Sequence, residues 1–136
     1  MVTLASDVKT TLSPNAYQTV LDMAWEKGTI AGIQAVPVPM RLVAADIYGR
    51  PLPGARVDVI SEGACGFAWV NIRPATSAFA RWLKKNGHAS PAYGGGLNIR
   101  ITDFNQSMAR KEACAYAMAE VFRQAGINAY GNSRID

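Results

Sequence analysis

Residues 66–73 constrain this chain most. Ala68, Val70 and Ile72 alternate with Phe67, Trp69, Asn71 and Arg73, the period of two that belongs to a strand. Both sides of this stretch begin with apolar groups, so the strand is expected in the middle of its sheet. Pro74 ends it. Leu97, Ile99 and Ile101 alternate with Asn98, Arg100 and Thr102, which predicts a second, half-buried strand. Residues 40–48 and 55–61 read as a hairpin around the breaker-rich loop Gly49-Arg50-Pro51-Leu52-Pro53-Gly54. A short last strand is expected over residues 127–130.

Three helices are predicted between these strands. Ser13 and Pro14 suit a helix start, and Tyr17, Val20, Leu21, Ala24 and Trp25 follow at helical spacing. Gly28 reads as the stop, which gives a helix over about 13–28 and a linker over 29–39 holding Pro37 and Pro39. Thr76 or Ser77 can cap a short helix through Asn86, with Lys84 and Lys85 in its last turn. The last helix runs from near Ser107 to Gly126 and carries Cys114, Ala117, Met118, Val121, Phe122 and Ala125 along one side. The order of elements predicts a single α+β domain over residues 1–136. Its sheet is expected to be mixed and four- to five-stranded, with three helices packed mainly on one face. Parallel strands joined by right-handed crossovers are expected after Gly66.

With 136 residues, 49% apolar and 18% charged, the chain has enough material to bury about two-thirds of its unfolded surface. No apolar run reaches the roughly 20 residues of a membrane helix, so no membrane association is expected. The opening Met-Val-Thr-Leu-Ala-Ser-Asp lacks the pattern of a secretory signal. Cys65 and Cys114 are too few for a disulfide framework, and both are expected reduced, buried and poorly reactive. With one histidine, His88, the usual local zinc spacing cannot be assembled. Asp46, Asp58 and Glu62 have no spacing that demands carboxylate chemistry, so a nuclease ranks last. No catalytic residue, cofactor or metal is expected.

Charge is uneven. Residues 1–69 have a net charge of −1 and residues 70–136 a net charge of +5, which directs anions to the C-terminal half. Ser107, Arg110 and Lys111 open a helix with a hydroxyl and two cations. Cations oppose the dipole there, a choice that makes sense if an anion binds, with Arg100 and Arg73 as further candidates. Replacing Arg110 and Lys111 with Gln is then expected to leave stability unchanged or slightly raised. Trp69, Trp82 and Tyr93 are candidate aromatic platforms or interface residues. The run Tyr93-Gly94-Gly95-Gly96 leads into a strand, unlike a phosphate loop, and reads as a flexible loop or a lid. The polar C-terminus is expected to be pinned by a subunit contact or an Arg134 ion pair.

The segments Cys65-Gly66-Phe67-Ala68-Trp69-Val70, Gln106-Ser107 with Arg110-Lys111-Glu112-Ala113, Gly126-Ile127-Asn128-Ala129-Tyr130 and Ser133-Arg134-Ile135-Asp136 resemble small uncharacterised proteins of tailed bacteriophages. The likeness covers the C-terminal half and implies a place in the host bacterial cytoplasm or in the virion. The function expected is a non-enzymatic, homo-oligomeric binding protein for a phosphate-bearing ligand, a nucleotide or nucleic acid. The alternative is a structural virion component (neck, tail or head-decoration subunit) in contact with other virion proteins.

Overall fold

A computed structural model describes residues 12–136. The opening segment read for a secretory signal, and the first eleven positions of the expected domain, lie outside the described residues. The chain forms helix α1 (Tyr17–Gln34), strands β1 (Met40–Val43), β2 (Val57–Ile60) and β3 (Gly66–Ile72), then helix α2 (Ala78–Lys85). Strands β4 (Ser90–Pro91) and β5 (Leu97–Arg100), helix α3 (Met108–Gln124) and strand β6 (Ala129–Ile135) complete it. The fold is α+β.

The strands divide into a separate β1–β2 hairpin and a four-stranded sheet of order β4-β5-β3-β6. Among the described residues every hydrogen-bonded pair is antiparallel, which corrects the expected single mixed sheet. The reason is length. A parallel crossover from β3 must carry the chain back along about 23 Å of strand, and the eight residues of α2 make a helix of only about 12 Å. The 17 residues of α3 do span such a distance. Accordingly β5 and β6 run parallel to each other, with β3 between them.

β3 is the centre of the sheet, and alternation decides what each face does. Ala68, Val70 and Ile72 are buried, together with Leu97 and Ile99 of β5, beneath the helices. Leu21 and Ala24 of α1, Leu83 of α2, and Met118 and Phe122 of α3 close this core. Phe67, Trp69 and Asn71 point to the other face, which no helix among the described residues covers, and are half-buried.

α1 starts later and runs further than the predicted 13–28, and the predicted linker shrinks accordingly. Ser13 precedes a 3-10 turn (Pro14–Ala16), and its side chain makes no capping bond. Gly28 lies inside the helix. A Cβ there would stand 2.6 Å from Met118 Cγ and 3.0 Å from the Cys114 carbonyl oxygen. Gly32, one turn on, receives the Phe104 ring, which a Cβ would meet at 2.3 Å. Gly28 lets α1 cross α3 closely, and Gly32 seats the ring of the turn before α3, so neither glycine ends the helix.

The C-terminal stretch expected to form a short strand pairs with all seven residues of β3. Among the described residues Arg134 makes no ion pair; its guanidinium lies 5.5 Å from the Phe67 ring centre. Among the described residues no helix is long and apolar enough to cross a membrane.

Candidate functional site

The predicted anion site at the start of α3 is occupied by the protein itself. Ser107 is buried; its Oγ accepts from the Arg110 backbone N–H at 3.4 Å and donates to the Glu62 carbonyl at 3.2 Å. The Arg110 side chain leaves α3 and reaches the end of α1. Its Nη1 stands 3.0 Å from the Gly32 carbonyl oxygen, 2.9 Å from that of Ile33 and 3.1 Å from that of Ala35, while Nε donates to Glu62 at 2.7 Å. The hydrogen bond to Glu62 holds the guanidinium above its ordinary pKa. Hence the cation that opposes one helix dipole serves another: α1 has no basic residue in its own last turn, and Arg110 supplies the donors its terminal carbonyls lack.

The expectation for Arg110→Gln therefore changes sign. The substitution should loosen the last turn of α1. Backbone amide exchange at residues 30–35 is expected to accelerate at least tenfold while α2 is unaffected; unchanged exchange there would contradict this role.

The remaining candidates separate. Arg73 donates through Nε to Asn71 Oδ1 at 2.8 Å and through Nη2 to the Gly94 carbonyl at 2.9 Å. Asn71 Nδ2 donates to the Gly95 carbonyl at 3.0 Å and to Asn98 Oδ1 at 2.9 Å. At Gly96, whose φ is +73°, a Cβ would meet the Ile72 carbonyl oxygen at 2.5 Å. These bonds fasten the glycine loop to the sheet, so it is neither the free loop nor the lid expected from its composition. Tyr93 sits fully exposed on that loop. Trp82 belongs to the far side of the molecule, in a cluster with Tyr17, Phe79 and His88.

Trp69, Arg100 and Lys111 meet at a cleft of about 860 Å³ on the uncovered face of the sheet, together with Phe67, Asn98, Asn105, Gln106 and Arg134. Strand register creates this assembly. Trp69 is directly opposite Arg100 on one side and Asn132 on the other, and Phe67 is opposite Arg134. Directly opposed residues share a face with their Cβ atoms about 4.5–5.5 Å apart. One wall is the turn before α3, where Phe104 and Asn105 hold positive φ angles of 68° and 51°. Such a conformation is uncommon outside glycine, above all for an aromatic residue.

Three cations line the cleft: Arg100, Lys111 and Arg134. Lys111 is only 6% exposed. Its Nζ stands 3.4 Å from the Gly66 carbonyl oxygen and 5.8 Å from the centre of the Phe67 ring. Among the described residues no carboxylate lines the cleft, and none lies within 4.0 Å of these three side chains. The nearest acidic residue along α3, Glu112, accepts from Ser133, which belongs to the helix-covered side of β6. Lys111 and Arg134 are thus held against the Phe67 ring, and among the described residues the three cations have no carboxylate counter-ion.

Sequence reasoning missed Phe67 and Arg134 as site residues. Phe67 was detectable, since it shares the Trp69 side of a period-two strand. Arg134 was not, because its place depends on how β6 registers against β3. Of the two thiols expected to be buried, one is and one is not. Cys114 is buried, and burial followed by the charge of Asp103 pushes its thiol up to about 12. Cys65 is exposed; it forms a single bridge with Ser107 just before β3 begins, and alternation puts it on the Phe67 and Trp69 side, away from the core.

Comparison of the chain with protein-family models, with curated proteins and with solved structures finds no match to any of them.

Proposed function

We propose that the uncovered face of the sheet binds a ligand carrying both phosphate and a stackable ring, a nucleotide or nucleic acid, without chemical conversion. The observation that carries this reading is the pairing of Trp69 and Phe67 with three cations that have no carboxylate partner in the cleft among the described residues. A flat aromatic surface takes a base, and adjacent guanidinium and ammonium groups take phosphate. The polar lining groups Asn98, Asn105 and Gln106 supply further donors and acceptors.

The test is an equilibrium titration of a fluorescent oligothymidylate into wild type and Trp69→Ala. Stacking of one base contributes about 1–3 kcal/mol, so the variant is expected to bind about 5- to 100-fold more weakly. Absence of wild-type binding tighter than millimolar would overturn the reading.

A second reading, a structural subunit that assembles with copies of itself or other virion proteins, is favoured by the β1–β2 hairpin. Leu42, Val43, Val57 and Val59 are all exposed, as are Ile47 and Tyr48 in its loop, and an isolated two-stranded hairpin is marginal in water. Light scattering is expected to give a homo-oligomer; a 14.6 kDa monomer at micromolar concentration would count against assembly through this arm.

A further inference from the structure

We infer that the ligand is a single-stranded nucleic acid laid across the sheet, with one base on each of three aromatic side chains, in place of a mononucleotide held in a pocket. This inference rests on the nucleotide-binding reading above.

The platforms are spaced for a strand. Phe67 and Trp69 lie on the same side of β3 two residues apart, about 7 Å by strand geometry, a separation that suits adjacent bases of an extended chain. The third platform is Tyr130, exposed on β6 directly opposite Asn71. It therefore lies a further two residues along the sheet from Trp69, again about 7 Å, and one strand to the side.

Each platform has its own arginine. Arg134 stands opposite Phe67 on β6, and Arg100 stands opposite Trp69 on β5. The Arg123 guanidinium lies 5.4 Å from the centre of the Tyr130 ring. Arg123 also pairs with Glu120 at 2.8 Å, so the third position offers stacking with a neutralised cation, and the two outer arginines of the cleft carry the phosphate attraction.

The surface is also open. The glycine loop that could have closed over a small ligand is tied down by Asn71 and Arg73. Asn71 and Asn98 fill the space between Trp69 and the loop and bond to each other. A lone nucleotide would engage one platform and one cation; a trinucleotide engages all three rings and both free arginines.

The experiment measures dissociation constants for thymidine monophosphate, for oligothymidylates of two, three and six nucleotides, and for the matching uridylates. A base-paired hexamer and hexaglutamate are added as controls. Affinity is expected to rise at least tenfold from one nucleotide to three and to change less than threefold from three to six. Tyr130→Ala, a change on an exposed side chain, is expected to weaken the trinucleotide at least fivefold and leave the monophosphate unchanged. Equal affinity for monophosphate and trinucleotide overturns this inference and leaves the nucleotide reading standing. Binding of the duplex or of hexaglutamate as tight as that of the single strand also overturns it. Absence of binding by any phosphate ligand overturns both. Uridylates and thymidylates binding equally is the expected result, since the proposed contacts are to rings and phosphates and none is to the sugar; strict discrimination between them contradicts it.

Discussion

Changing Arg100 and Arg134 together to Gln should weaken oligonucleotide binding about 30- to 100-fold without unfolding the protein. Each charge-assisted contact to phosphate contributes roughly 1.5–3 kcal/mol, reduced here because both side chains face solvent, and each 1.4 kcal/mol is tenfold in affinity. The salt dependence gives a second readout. Loss of two phosphate contacts should make the slope of log K against log salt shallower by about 1.4. Stability should hold within about 0.5 kcal/mol, since neither side chain takes part in an ion pair among the described residues. What is lost at Arg134 is its contact with the Phe67 ring, and relief of like-charge crowding beside Lys111 offsets it. Anisotropy titrations between 50 and 200 mM salt (roughly the range over which phosphate contacts are most visible) check this. An unchanged slope would place phosphate recognition elsewhere.

Phe122→Ala should have the largest effect on folding. Phe122 is fully buried on α3 and meets the Phe79 ring of α2 with centroids 5.7 Å apart. Because all three helices lie on one side of the sheet, this contact helps join α2 to α3 over the same core. Truncation of a buried Phe costs about 3–5 kcal/mol, which for a chain of this size lowers the melting temperature by about 10–20 °C. Thermal unfolding followed by circular dichroism measures it. A loss under 1 kcal/mol would mean that the helices do not share one core.

Local structure was legible in the sequence wherever one rule acted alone. The alternation through β3 gave its start, its end to within one residue (Ile72 in place of Arg73) and its central place. Ser77 and Ser107 cap their helices, each accepting from the backbone N–H three residues on, as hydroxyl residues ahead of apolar periodic runs do. Gly28 misled because a glycine that ends a helix and a glycine that admits a crossing helix look identical in sequence. Only the tertiary contact with Met118 and Cys114 distinguishes them. Strand direction was likewise set by the length of α2 against β3, which composition does not display.

The site was partly legible, and for a specific reason. Trp69, Arg100 and Lys111 were singled out by residue type, yet grouping them required the register that sets Trp69 opposite Arg100 and Phe67 opposite Arg134. Arg110 was grouped with Lys111 by adjacency, although neighbours on a helix diverge by about 100°. Accordingly Arg110 turns toward α1 and Glu62 while Lys111 lines the cleft.

A nucleic acid is proposed to land on the uncovered face of the sheet. The three tryptophans report on it independently: Trp69 lines the cleft, while Trp25 packs against the core and Trp82 lies in the aromatic cluster of α2. Each indole N–H gives a separate signal in a nitrogen–proton NMR spectrum. On titration with a single-stranded trinucleotide, the Trp69 signal is expected to shift with saturation while those of Trp25 and Trp82 stay in place. Movement of Trp82 or Trp25 with Trp69 fixed, or no movement of any indole at millimolar ligand, would contradict the account.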